Sequence, residues 1–376
     1  MSTETLPPLL VPQADPTAAY RAHKSAIDSA IARVLESGWY ILGSEGAAFE
    51  REFAHWLGRA NAVGCANGTD AIALILRGLG IGAGATVVTV SHTAVASVAA
   101  IEMAGATPLL LDIDPRHYTL DPQELADVLA DPPAGLPPIR AVLLVHLYGQ
   151  SADLDAIRAI TEQHGVALIE DCAQCHGALW QGRKLGTFGV ASAFSLYPTK
   201  NLAALGDGGV IGTDDVELAA TIGALRQYGW RERYVSDLVG VNSRLDEIQA
   251  AVLRVRLPLL HAANQRRREI AARYDAVLGD RAPARRAGAE HVFHQYVIRW
   301  SERAATQALL RAEGVGTAIH YPMPVHTQPA YRGRVALGPA GCRQTGIAAS
   351  EVLSLPVHPE LSDEQVQIVV DAIRKL

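Results

Sequence analysis

Val166-Ala-Leu-Ile-Glu-Asp171-Cys-Ala-Gln-Cys-His-Gly177 is the stretch from which the fold is read. Four apolar residues stop at two acids and a polar turn follows, so the run predicts a short buried strand rather than a helix. The same pattern recurs at residues 86–90, 107–111 and 141–145, and helical spacing covers 94–104 and 154–163 between them. Such alternation predicts an α/β fold, a mainly parallel central sheet flanked by helices. In open sheets of this kind ligands bind beyond the carboxyl ends of the strands, so the polar residues that follow each apolar run are the ones that carry chemistry.

Further along, residues 193–196 and 210–213 follow one another without a helix, which predicts a strand pair or an antiparallel edge, and there the sheet is expected to end. A helical stretch over 245–278, kinked at Pro258, then connects to a smaller α+β domain. That domain is expected to hold a strand at 293–300, a helix at 302–312, a Pro-rich loop at 321–329 and a closing helix at 362–376. The division reads as 1–257 for the large domain, with an N-terminal arm at 1–20, and 258–376 for the small one. Near the start, Ile27, Ile31, Val34 and Leu35 recur at helical spacing, Ser37-Gly38 stops that helix, and Trp39 to Gly43 reads as a loop.

The 376 residues suit about two domains. Apolar residues at 49% and charged residues at 19% are ordinary for a globular protein and exclude extensive disorder. Lys and Arg number 33 against 39 Asp and Glu, a net charge of −6, so no basic field draws nucleic acid or acidic lipid. An anionic ligand must be held by local donors. The Pro-rich first sixteen residues contain no Lys or Arg, unlike an export signal, and no apolar run is long enough to span a bilayer. A cytoplasmic protein is expected. Four cysteines in so long a chain do not make a disulfide framework.

Four places invite chemistry. Asn67-Gly68-Thr69-Asp70 opens a helical pattern, where unpaired backbone amides and a hydroxyl suit a phosphate; plain capping by Thr69 or Asp70 is the simpler reading. Glu170-Asp171 ends the strand first quoted, and a carboxylate there is a natural partner for a protonated ring nitrogen, or merely a helix cap. Tyr197-Pro-Thr-Lys-Asn201 presents one lysine on a tight turn, with Ser195 before it and Gly206-Asp-Gly-Gly209 beyond. Desolvation would free such an amine for Schiff-base chemistry, whereas an ordinary lysine is solvated. Asn242-Ser-Arg-Leu-Asp246 is a polar turn where Ser243 or Asp246 can cap the long helix. Cys172-x-x-Cys175-His176 also fits a c-type haem attachment pattern; with no export signal and a mid-chain position after a strand, two buried structural thiols are the better account.

A phosphate-holding helix start, a carboxylate for a ring nitrogen and a Schiff-base lysine are, together and in this order, the parts of a pyridoxal 5′-phosphate enzyme. From about Ser37 to the C-terminus the chain resembles the DegT/DnrJ/StrS family of nucleotide-sugar aminotransferases. The resemblance rests on Gly38-Trp-Tyr-Ile-Leu-Gly43, Ala66-Asn-Gly-Thr-Asp70, Val145-His-Leu-Tyr-Gly-Gln150, Glu170-Asp-x-Ala-Gln-x-His-Gly-Ala178, Tyr197-Pro-Thr-Lys-Asn201, Gly206-Asp-Gly-Gly209, Asn242-Ser-Arg-Leu-Asp246 and His320-Tyr-Pro-x-Pro324.

The resemblance implies the aspartate-aminotransferase-like fold, fold type I. It also implies that Lys200 holds the cofactor as a Schiff base and shuttles the proton, that Asp171 pairs with the pyridinium nitrogen, and that Gln174 bonds the ring's phenolic oxygen. Gly68, Thr69 and Ser195 fall at the phosphate site, His92 where the family sets a flat side chain over the ring, and Asn242 at a position supplied by the neighbouring subunit of a homodimer with shared active sites. His92 and the 320–331 loop look more like the subset that aminates C3 of a dTDP-linked 3-keto-6-deoxyhexose with L-glutamate as donor. His320 and Tyr321 would touch the sugar, and Arg231 and Arg233 its diphosphate. The family's dehydratases carry His in place of the lysine, so Lys200 speaks for amino transfer. No metal, nucleic acid or membrane is implied. C4 amination of an NDP-4-keto sugar is the nearest alternative. More distant ones are a regulator that binds the cofactor without turnover and a redox protein using Cys172 and Cys175.

Overall fold

The computed structural model describes residues 9–376; the first eight residues of the expected arm lie outside them. Eight strands form the central sheet, in the order Asn61–Cys65, Gly209–Thr213, Ala191–Ser195, Ala167–Asp171, Ile139–Val145, Thr86–Val90, Thr107–Leu111 and Ala336–Leu337. Neighbours are parallel except around Gly209–Thr213, which runs against the strands on both its sides. The stretch first quoted is thus an inner strand, and its apolar residues are covered on both faces by helices.

Local chemistry explains the element ends. Asp153 caps helix Leu154–His164 through the amide of Ala156, and Gly165, at φ 63, closes it in a left-handed turn that favours glycine. Asn67, rather than Thr69 or Asp70, caps helix Gly68–Gly78 by accepting from the amide of Asp70 at 2.8 Å. Phe194 is fully buried on one side of the sheet, edge-on to Phe53 at 5.2 Å and 5.4 Å from the His176 ring. Truncating it to alanine would cost about 3–5 kcal/mol.

The sheet does not end where expected. Ala336–Leu337, from the C-terminal region, adds to its far edge beside Thr107–Leu111. Two residues are too short to announce themselves as a strand. The long helical stretch is two helices, Glu247–Arg256 and Leu260–Leu278, joined by a 3₁₀ turn at Leu257–Leu259 that contains Pro258. Beyond it, Tyr296–Arg299 pairs antiparallel with Val352–Leu355, and these strands share an apolar cluster with Ile270, Tyr274, Leu310, Val366 and Val369. Val11 joins the same cluster, fully buried, and bridges to Val315. Among the described residues, no helix is long and apolar enough to cross a membrane.

Candidate active site

The carboxyl ends of five strands converge on a cavity of about 350 Å³. At one end lies the start of helix Gly68–Gly78. Asn67 satisfies the amide of Asp70 with its side chain and that of Ala71 with its carbonyl, which leaves the amides of Gly68 and Thr69 without a protein acceptor among the described residues. A Cβ on Gly68 would stand 2.7 Å from Ser195 Cβ, so only glycine lets the helix start approach the Ser195 turn. Two free amides, two hydroxyls and the positive end of a helix dipole make an anion cradle.

Across the cavity is Asp171. Ser97 Oγ donates to its Oδ2 at 2.8 Å and the Ala173 amide to its Oδ1 at 3.1 Å. Burial raises its pKa above the usual carboxylate range, against the pull of those two bonds and of the Lys200 charge. Gln174 is fixed by its neighbours: its Oε1 accepts from the Tyr148 amide at 2.7 Å and its Nε2 donates to Tyr321 Oη at 3.0 Å.

Behind Asp171, the Ala152 amide donates to His146 Nδ1 at 3.2 Å, so its partners assign the ring proton to Nε2, which faces Glu170 Oε2 at 3.2 Å. Glu170 also accepts from the amides of Gly186, Phe188 and Gly189 at 2.7–2.8 Å. Burial pushes its carboxyl up, but these bonds outweigh it and hold the group below its ordinary pKa. His146, Glu170 and Cys172 bring ligand-type atoms within 4.8 Å of one another, yet the Glu170 oxygens are already engaged, and the cluster serves as support for the strand ends.

Lys200 sits on the turn closed by its amide to the Tyr197 carbonyl at 2.9 Å. Its side chain keeps part of its surface open to the cavity. The protein packed around it strips away water, and burial lowers its ammonium to about 8, opposed by the Asp171 carboxylate. His294 and His320 share this cavity, and burial keeps both imidazoles neutral.

Gly68, Thr69, Asp171, Gln174, Ser195, Lys200, His320 and Tyr321 therefore meet at one cavity, as the sequence pattern expects. His92 does not line it. Its Nε2 bonds Tyr148 Oη at 2.8 Å and its ring lies 5.9 Å from that of Tyr118, on the far side of the strand end. Thr93, Ala94 and Ser97 face the cavity instead, a correction to the expected position of the flat side chain. Asn242 is exposed and outside its own chain's cavity; Arg231 and Arg233 are exposed on the hairpin of Trp230–Glu232 and Val235–Ser236, beside a separate depression. Ser243 reaches Asp70 Oδ2 at 2.6 Å rather than capping, and Asp246 makes no side-chain cap bond. Ser97, His294 and Gln295 line the cavity without having stood out in the sequence, and His146, part of a quoted motif, lines it without having been given a role. Ser97, near a helix start after a strand end, and His146, the first residue beyond the strand Ile139–Val145, carried a positional hint. Cys172 and Cys175 are free, fully buried thiols that burial pushes upward in pKa.

The family model described as "DegT/DnrJ/EryC1/StrS aminotransferase family" matches residues 22–374. The chain belongs to this family. It is a fold type I enzyme of the transaminase kind, and pyridoxal 5′-phosphate is its cofactor. Among the relatives of this DegT-family chain is the dTDP-3-amino-3,4,6-trideoxy-alpha-D-glucose transaminase of Streptomyces venezuelae, 44% identical over 97% of this chain and 96% of the relative. Another is the dTDP-3-amino-3,6-dideoxy-alpha-D-galactopyranose transaminase of Aneurinibacillus thermoaerophilus, 42% identical over 94% and 96%. The crystal structure of S. venezuelae DesV in complex with a ketimine intermediate superposes with a TM-score of 0.93 at 43% identity, covering 98% of each chain. The cradle at Gly68, the buried Asp171 and the desolvated Lys200 amine fit that cofactor's phosphate, ring nitrogen and aldehyde respectively.

Proposed function

We propose that this chain moves the amino group of L-glutamate to C3 of a dTDP-linked 3-keto-6-deoxyhexose. The observation that carries this reading is the 44% identity, over 97% of the chain, to a transaminase named for a 3-amino dTDP-sugar. When bound, the cofactor supplies an electrophilic carbon and an electron-withdrawing ring.

This chain's own residues do the rest. Lys200 would hold the cofactor; its amine, lowered to about 8, would take the proton from the donor's α-carbon at Nζ and pass it on within that half-reaction, then run the transfer in reverse in the second half, delivering a proton to the sugar's C3. Asp171, oriented by Ser97 and Ala173, would keep a proton on the ring nitrogen. Gln174, whose Oε1 is held by the Tyr148 amide, would offer its Nε2 to the ring's phenolic oxygen. Gly68, Thr69 and Ser195 hold the phosphate. His320 and Tyr321 close the cavity on the sugar side.

The proposal includes a homodimer. Exposed Trp39 and Ile41 share a depression with Trp230, Arg231 and Arg233, exposed Tyr228 and Tyr234 pack on Trp230, and Asn242 is bridged to Gln227 in the same lining. A second copy covering it would bring those polar residues to the first copy's cavity, as partner contacts to phosphate and diphosphate. The division at 1–257 and 258–376 is likewise proposed, and the turn at Leu257–Leu259 supports it.

The test is incubation with pyridoxal phosphate, L-glutamate and a dTDP-3-keto-6-deoxyhexose, followed by NMR of the product. An amine on C3 is expected; an amine on C4, or none, would overturn the reading.

A further inference from the structure

His294 reaches the cavity beside Lys200, and its two ring nitrogens are told apart by their partners. Asn201 Nδ2 donates to Asn264 Oδ1 at 2.8 Å and to the Val292 carbonyl at 3.1 Å. The atom of Asn201 that faces His294 Nδ1, at 3.2 Å, is therefore its oxygen. An amide oxygen only accepts, so Nδ1 carries the ring proton. Nε2 is left with a lone pair, and its partner is the Gln295 amide nitrogen at 3.5 Å, the outer edge of hydrogen-bond distance. Gln295 is itself oriented, since its Oε1 accepts from Gln13 Nε2 at 2.7 Å. The donors thus point one way, from Gln13 through Gln295, His294, Asn201 and Asn264 to the carbonyl of His176. Burial holds the His294 ring neutral, and the positive charges of Lys200 and Arg267 act in the same direction.

With Nδ1 committed to Asn201, the ring of this cavity-lining residue has Nε2 as its one acceptor, held only by the long contact to Gln295, which also lines the cavity, and it has no second donor. An amino-acid substrate brings carboxylates, which accept, and one amine, which must reach the cofactor. A sugar brings hydroxyls, which donate. We propose that His294 is a specificity-determining residue that accepts, through Nε2, a hydrogen bond from a hydroxyl on a carbon flanking the keto group of the sugar. This deepens the sugar-aminotransferase reading and rests on it. The Asn201 bond is what fixes the polarity of the ring, and Asn201 adjoins Lys200 in the chain. Recognition of the sugar and placement of the lysine thereby share one anchor.

The test uses the holoenzyme with His294→Leu, which cannot accept, and His294→Gln, whose Oε1 can. The two half-reactions are followed separately, the glutamate half by the cofactor's absorbance without sugar present. The leucine variant is expected to raise KM for the nucleotide-linked keto-sugar about tenfold, while the glutamate half stays within about twofold and the glutamine variant recovers most of the loss. A substrate lacking the flanking hydroxyl should show the same rise of about tenfold in wild type, and no further rise in the leucine variant. Independently of turnover, ¹⁵N NMR of the cofactor-free chain should place the ring proton on Nδ1. An unchanged sugar KM, an equal fall in both half-reactions, or a proton on Nε2 would overturn the proposal. If the leucine variant does not fold, the deoxygenated substrate on wild type and on the glutamine variant decides, because indifference to that hydroxyl refutes the contact. An enzyme that takes glutamate's amino group but passes it to no nucleotide-linked keto-sugar would sink the broader reading instead, with the NMR result standing apart.

Discussion

Raising the pH around the cofactor-free chain should release the Lys200 amine well before an exposed lysine would lose its proton. Burial brings this ammonium from 10.5 to about 8, while Asp171 pulls the other way. At about pH 7.5, roughly a quarter of the chains then carry the free amine, against roughly one in a thousand for an ordinary lysine, a ratio of about two hundred. The assay is capture of pyridoxal phosphate across pH, followed by absorbance and run beside N-acetyl-lysine amide so that ionisations of the aldehyde cancel. The rate relative to that reference should be flat below about pH 8 and fall above it, where Lys200 is already free and the reference amine is still losing its proton. Asp171→Asn should move that midpoint further down, because the carboxylate is what holds it up. Stability follows with a definite sign. Between about 8 and 10.5 the unfolded chain binds more protons than the folded one, so the Lys200 contribution to stability rises with pH across that window and is flat and unfavourable below it. A midpoint near the ordinary 10.5, or an upward shift in Asp171→Asn, would refute the reasoning.

Gly68→Ala should place a Cβ 2.7 Å from Ser195 Cβ and 3.1 Å from its Cα, costing about 1–3 kcal/mol of stability by overpacking and weakening cofactor binding at least about tenfold. Thermal melting of the cofactor-free variant and a cofactor titration check this; unchanged affinity would dismiss the cradle. Glu170→Gln replaces an acceptor of three amides and an imidazole by a group with its own unplaced donor, and should cost about 3–5 kcal/mol in denaturant unfolding near neutral pH. Because the folded Glu170 pKa is lowered, its contribution is present above the unfolded value of about 4.3 and is lost as pH falls through the folded one, so the variant should lose less on acidification than the parent. The joint change Cys172→Ala and Cys175→Ala should leave amino transfer within about threefold of the parent, since both thiols are buried and burial suppresses their ionisation. A collapse of activity that reductant modulates would restore the redox reading.

What the sequence disclosed follows from the reach of each signal. Residues 86–90 and 107–111 coincide with observed strands because a strand buried on both faces is mostly apolar, and the buried hydroxyls of Thr86 and Thr89 bond to the carbonyls of Pro137 and Leu143. The cofactor residues were legible because each sits at a strand's carboxyl end or opens a helix, positions that local pattern marks. His294 and Gln295 were not, since they precede the four-residue strand Tyr296–Arg299 in another part of the chain and meet Lys200 only through tertiary packing. His92 misled for a related reason. Motif position gave its neighbourhood, but which way a side chain points after a strand ends depends on the turn, and here it points toward Tyr118 and Tyr148. Ala336–Leu337 escaped because its pairing with Thr107–Leu111 is set by the partner rather than by its own two residues.

The seat of Val11 beside Val315 bears on how the polypeptide is made. These residues are 304 positions apart, so Val11 has no docking place until the chain as far as Val315 has been made. At about 5–20 residues per second, that wait is of the order of tens of seconds. Throughout it Val11 lacks its final neighbours, and the apolar cluster it shares with Val315, Leu353 and Val366 is completed only when the two ends of this stretch meet.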